Sequence, residues 1–168
     1  MAKVLVIRLS AIGDVAMTVP VIYSAAKANP EDSFTVLTQA FLMPLFMNRP
    51  PNVEVIGINT KGAEKGLIGL LKFISALLKF DFDVILDLHN VIRTIIICTF
   101  FRLNGKRVFV LDKARKERKR LTAIKGKRLY PLRPVIVRYA DVFRAAGLNY
   151  TETVSYTHLR AHETTLHL

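Results

Sequence analysis

The sequence predicts an α/β domain built on a doubly wound parallel sheet with helices on both faces. Three observations predict it. Strand-like and helix-like segments alternate at short intervals along the 168 residues, the pattern of a parallel sheet wound by helices. Segments such as Lys3–Arg8 (KVLVIR) and Asp83–Leu88 (DVILDL) are β-branched, nearly continuous apolar runs, as strands buried on both faces are. The length and the 51% apolar content provide for about one domain with a sizeable core. No repeat of about 20–50 residues and no low-complexity linker interrupts the pattern.

In order, Lys3–Arg8 is the first strand and Ser10–Asp14 a turn, and a helix runs from about Val15 to Ala28. Pro20 predicts a bend or a late start in that helix, because an interior proline loses a hydrogen bond. Ser33–Thr38 is a second strand, Phe41–Met47 a short helix and Val53–Ile58 a third strand. Glu64–Phe80 carries Leu67, Leu70, Leu71, Ile74, Leu77 and Leu78 at a helical period. Asp83–Leu88 is the fourth strand, Asn90–Leu103 an apolar helix, and Lys106–Leu111 the fifth strand. A basic loop or broken helix follows, then a helix over Pro134–Ala146 that Gly147 can end. Ligands of such sheets bind at the carboxyl ends of the strands.

Several classes are excluded. The longest uncharged stretches, Val15–Ala26 and Ser33–Asn48, fall short of the roughly 18 apolar residues of a membrane span. The chain enters a strand at once, so no signal peptide is read. Cys98 is the single cysteine, which excludes a disulfide framework and points to a reducing cytosol. The net charge is +12, and Gly105–Arg138 holds thirteen Lys or Arg against Asp112 and Glu117, a local net of +11. Such a stretch is either a solvated basic face or a surface for phosphate, nucleic acid or anionic lipid. As a nucleic-acid module it is short of aromatics, since Phe109 and Tyr130 flank the run without interleaving with it.

Residues Val154–Leu168 break the pattern. They hold His158, His162 and His167, but His162-Glu163-x-x-x-His167 misses the zinc motif H-E-x-x-H by one residue. Val154–Leu159 resembles a translated sequencing-library adapter, so 154–168 reads as a tail foreign to the domain. No metal-ligand cluster is read in residues 1–153.

The most informative segment is Val4–Pro20, VLVIRLSAIGDVAMTVP. A strand runs into a small-residue turn, and a helix begins near Gly13-Asp14, where amide groups and the positive dipole end gather. The glycines of a dinucleotide fingerprint and of a P-loop are both missing. A carboxylate, Asp14, stands where those folds seat a phosphate. Spacing leaves two readings open. Asp14 can cap the helix, or it can accept a proton from a hydroxyl nucleophile in the crevice.

Arg8-Leu-Ser-Ala-Ile-Gly-Asp-Val15 with Thr18-Val-Pro20 resembles the N-terminal signature of the lipopolysaccharide heptosyltransferases, glycosyltransferase family 9. Phe82–Arg93 (FDVILDLHNVIR) is similar to the family's strand-four motif, and Val137–Leu148 (VRYADVFRAAGL) is a third match. The resemblance spans about residues 3–150. It implies a GT-B enzyme of two Rossmann-like domains, of which this chain is the N-terminal, acceptor-binding half over residues 1–153. The implied reaction is an inverting, metal-independent transfer of heptose from ADP-heptose to the lipopolysaccharide inner core, with no cofactor. Asp14 matches the general base, positioned by Ser10 and the Ile12–Gly13 backbone. The implied acceptor is a Kdo-lipid A-like anion, and guanidinium groups suit its phosphates and carboxylates. Arg93, Arg115 and Arg138 resemble basic acceptor-side positions, and Lys61 and Lys65 fall in a loop that is also basic in relatives. His89 is placed near the cleft, bonding locally or touching substrate. The donor site belongs to a further domain that family members carry, so this chain is expected to be inactive alone. The implied place of work is the cytoplasm, with peripheral contact at the inner membrane through the basic stretch. A basic module for nucleic acid or anionic lipid is the alternative.

Overall fold

Five short apolar segments lie side by side in one parallel sheet: β1 (Lys3–Ile7), β2 (Ser33–Gln39), β3 (Val53–Ile58), β4 (Val84–Asp87) and β5 (Arg107–Val110). The structure, a computed structural model, describes residues 1–62, 65–115 and 133–151. The strand order is β3-β2-β1-β4-β5. The chain therefore winds outward from β1 to one side and then crosses back to β4 on the other. Such a reversal leaves a crevice outside the carboxyl ends of the two central strands.

The strand period of two divides the core between the faces of the sheet. Val4 and Val6 of β1 pack on one face with α1 (Ile12–Ala28) and with the last helix, here α4 (Val135–Ala145). Leu5 and Ile7 pack on the other with α2 (Gly66–Leu78) and α3 (Ile92–Leu103). A 3-10 helix, Ala40–Phe46, buries Leu42 and Phe46 under the α1 side. The predicted doubly wound sheet is thus the observed one, and the registers Ile7–Leu37 and Ile7–Asp87 align the carboxyl ends of β1, β2 and β4.

Two helix starts differ from expectation. α1 begins at Ile12 rather than Val15, because the Val15 amide already donates to the Ala11 carbonyl at 2.9 Å. It also runs through Pro20. Burial of Val15, Val21 and Ile22 around the proline outweighs one missing backbone bond. α3 begins at Ile92 rather than Asn90, since Asn90 has φ +50° and sits in the turn before the helix. Gly147 ends α4 as predicted. Its φ is +82°, its amide donates to Arg144 O at 3.0 Å, and Leu148 N–H donates to Phe143 O at 3.1 Å, the two bonds of a Schellman motif. The predicted basic loop and the tail of 154–168 lie outside the described residues, as does Glu64 at the predicted start of α2.

Candidate active site

β1 delivers its last residues into the crevice. The Arg8 amide still donates to the sheet, to Leu37 O at 3.0 Å, so its side chain emerges where the strand ends. It is 6% exposed. Its Nη1 donates to Leu88 O at 2.6 Å, its Nη2 forms an ion pair with Asp14 Oδ2, and its guanidinium lies 5.9 Å from the centre of the Tyr139 ring. A buried guanidinium must be paired in this way, because desolvation is otherwise prohibitive.

Asp14 sits in the first turn of α1, where the dipole favours an anion. The residue that precedes the helix is Ala11, which offers no capping side chain. The carboxylate turns instead to Arg8, and its side chain keeps 41% of its surface exposed toward the cleft. Gly13, just before it, is exposed, and a Cβ built there would meet nothing within 4 Å.

β4 supplies the opposite wall. Asp87 is fully buried and accepts three hydrogen bonds, from the amides of His89 and Asn90 at 2.9 and 2.8 Å and from the Thr94 hydroxyl at 2.8 Å. That carboxylate fixes the turn between β4 and α3 and hence the place of His89. His89 Nε2 lies 3.4 Å from Ser10 Oγ. Burial first, and then the Arg8 guanidinium, pushes the imidazole down to about 4, so His89 is neutral at physiological pH.

Together these residues line a cleft of about 260 Å³ whose wall also includes Lys113, Arg138 and Tyr139. Its electrostatics lean positive, with Arg8, Lys113 and Arg138 around one carboxylate. Burial, followed by the charges of Arg115 and Arg8, lowers the Lys113 ammonium below its ordinary value. Burial raises the Tyr139 phenol. Four buried polar atoms of the cleft have no hydrogen-bond partner among the described residues: Arg8 Nε, His89 Nδ1, Arg138 Nε and Tyr139 Oη. Buried polar atoms are nearly always satisfied, so a group of them on one cleft marks a place where water or a polar ligand belongs. Chemically, the arrangement offers a proton-accepting carboxylate beside donors suited to oxygen-rich anions.

Of the residues expected from the sequence, Asp14, Ser10 and Arg138 line this cleft, and Gly13 borders it. Arg138 also reaches a neighbouring cavity of about 270 Å³ between β5 and α4. Arg93, in the first turn of α3, and the exposed Arg115 are not part of the wall, although Arg115 is close enough to act on Lys113. Lys61 follows β3 at the far edge of the sheet and lines a separate cavity beside Gln39 and Phe41, and Lys65 directly precedes α2. Arg8, Lys113 and Tyr139 were not anticipated. Arg8 carried a signal, a lone charge closing an apolar strand, whereas Lys113 and Tyr139 reach the cleft only through tertiary folding. No group of three or more His, Cys, Asp or Glu that could hold a metal occurs among the described residues.

No protein-family model and no curated protein matches the sequence. Solved structures do match. A glycosyltransferase family 9 protein from Veillonella parvula DSM 2008 aligns with a TM-score of 0.63 at 21% identity, over 88% of this chain and 42% of that one. The E. coli heptosyltransferase WaaC, solved with ADP-2-deoxy-2-fluoro heptose, aligns with a TM-score of 0.61 at 19% identity, over 90% of this chain and 50% of that one. A UGT transferase from Siraitia grosvenorii, in complex with UDP, aligns with a TM-score of 0.51 at 11% identity, over 67% of this chain and 28% of that one. The fold is therefore that of one Rossmann-like half of a GT-B glycosyltransferase. The chain spans about half the length of the family 9 structures or somewhat less.

Proposed function

We propose that residues 1–153 are the acceptor-binding half of an inverting, metal-independent glycosyltransferase of family 9, and that 154–168 is foreign to it. The observation that carries the reading is Asp14, a half-exposed carboxylate held by Arg8 in the first turn of α1, facing a cleft at the reversal of the strand order. The fold likeness and the family-like motifs around Asp14 support it.

In this scheme Asp14 accepts the proton of an acceptor hydroxyl while that oxygen attacks the anomeric carbon of the donor sugar. The bond from that carbon to the nucleotide phosphate breaks, and the nucleoside diphosphate leaves with the electron pair. Inversion follows from attack opposite the leaving group. Arg8 holds the base in one orientation, and Ser10 and the Gly13 backbone shape the approach of the hydroxyl. Lys113, Arg138 and the Tyr139 hydroxyl meet the anionic groups of the acceptor, with Arg93, Arg115, Lys61 and Lys65 further along the same edge. The donor is ADP-heptose, bound by a second domain, and the acceptor is a Kdo-lipid A-like glycolipid of the lipopolysaccharide inner core. The work takes place at the cytoplasmic face of the inner membrane.

Heptose transfer to Kdo-lipid A, followed through release of ADP, tests this. The 168-residue chain alone turns over at background. Joined to the second domain of a complete relative it turns over, and Asp14→Asn lowers kcat by roughly 10²–10⁴ while leaving acceptor binding in place. Turnover by the chain alone at the rate of a complete relative would overturn the half-enzyme reading. A fused Asp14→Asn variant with full activity would overturn the role of Asp14.

A further inference from the structure

The cleft around Asp14 lies at the carboxyl edge of the sheet, and the amino edge holds a separate cavity of about 370 Å³. Its place follows from the pattern of β2 and β3. On the face that α2 and α3 cover, the carboxyl halves of these strands give Leu37, Ile56 and Ile58 to the core. The same alternate positions nearer their amino ends are polar: Ser33, Thr35 and Glu54. Thr35 and Glu54 are register partners, so they stand side by side on neighbouring strands. Among the described residues no helix contributes to the wall, and Phe80 and Phe82, between α2 and β4, close one side.

Two polar groups of this cavity are unused. Thr35 is only 8% exposed, and its hydroxyl has no hydrogen-bond partner among the described residues. The Glu54 carboxylate has neither an ion pair nor a hydrogen bond among them. A buried hydroxyl left alone is costly, and the cavity beside it is where a partner fits. Phe80 is 49% exposed and stacks on Phe82, with ring centres 5.8 Å apart and planes at 12°. Such rings offer a negative face that attracts cations. Lys3 is the basic side chain of the wall, and its ammonium donates to Phe80 O at 3.4 Å. Asp32, also in the wall, and Asp83, which accepts the Lys3 amide at 2.8 Å, add negative charge. In a chain of net charge +12, this corner therefore sets three carboxylates against Lys3 and the Met1 amine. An apolar ligand would leave Thr35 and Glu54 unpaired, and an anion would face the Glu54 carboxylate.

We propose that the amino-edge cavity is a binding site for a small organic cation, an amidinium or ammonium on a compact apolar body. The cationic N–H groups donate to the Glu54 carboxylate and the Thr35 hydroxyl, and the apolar body lies against Phe80. The site is remote from Asp14 and does not depend on the transferase reading. Titration of the full 168-residue chain with benzamidine, with its neutral isostere benzamide and with benzoate tests it, followed by calorimetry and amide NMR. Benzamidine binds saturably and shifts the amides of Thr35, Glu54 and Phe82, while benzamide and benzoate bind at least about tenfold more weakly. Glu54→Gln, at an exposed position, lowers benzamidine affinity by roughly tenfold or more, and the isosteric Thr35→Val lowers it by about fivefold. Absence of saturable benzamidine binding overturns the proposal, as does equal affinity for benzamide. Shifts gathered around Ser10 and Asp14 instead overturn it, as does a folded Glu54→Gln variant that binds like the parent.

Discussion

His89 stands where burial and a neighbouring guanidinium act in the same direction, both against the imidazolium. Arg8 and Lys113 face it with positive charge, Asp87 and Asp14 with negative charge, and the balance leaves it at about 4. The folded chain therefore binds fewer protons than the unfolded chain between about pH 4 and pH 6.5. Stability attributable to His89 is full above about pH 6.5 and is lost as the pH falls to about 4, by roughly 1–3 kcal/mol. Denaturant melts of the parent and of His89→Asn across that window check this: the variant has a shallower slope, and identical slopes would contradict it. Asp14 teaches a related point. Its place in a first helical turn is legible from Gly13 and the strand before it, and both a cap and a base fit that position. Its partner Arg8, six residues earlier and reaching back across the turn, decides that the carboxylate faces the cleft.

At the level of elements, the helices begin and end by local chemistry that the sequence largely discloses. Gly147 closes α4 with a left-handed residue and two capping bonds, and any side chain there incurs strain. Gly147→Ala costs about 1–2 kcal/mol in a thermal or denaturant melt, and an unchanged midpoint would refute the motif's contribution. The loss should be felt at the cleft too, because α4 carries Arg138 and Tyr139. α1 shows the converse. Propensity argues against a helix through Pro20, but the buried face of Val15, Thr18, Val21 and Ile22 carries the helix across it, since packing outweighs one absent hydrogen bond. Asn90 shows why ends are harder to read than existence. The apolar pattern of the helix reaches back to Asn90, yet that residue's left-handed conformation, held by Asp87, keeps it in the turn.

For the whole molecule, the sheet separates two cores that meet only through alternate residues of the same strands. Cys98 lies deep in the α2–α3 core at 1% exposure, and burial pushes its thiol up to about 12. It is thus a reporter of opening on that side of the sheet. Thiol modification under native conditions proceeds at the rate of unfolding rather than at that of a free cysteine, with a slowdown of about 10³-fold or more. Rapid native labelling would show that the α2–α3 layer detaches from the sheet on its own. No helix among the described residues is long and apolar enough to cross a membrane.

By itself the sequence determined the alternation of strands and helices, the parallel sheet and the carboxylate after β1. These depend on side-chain period, β-branching and turn chemistry, which are local. The tertiary structure alone decided the strand order that opens a crevice between β1 and β4. It also decided which cations share that crevice. Arg93, in the first turn of α3, and Lys61, just after β3, follow strands as Arg8 and Lys113 do, but only the latter two reach the wall around Asp14. Tyr139, more than a hundred residues from Arg8, places its ring centre 5.9 Å from that guanidinium. Contacts of that span depend on how helices pack against the sheet, and no window of sequence contains both partners.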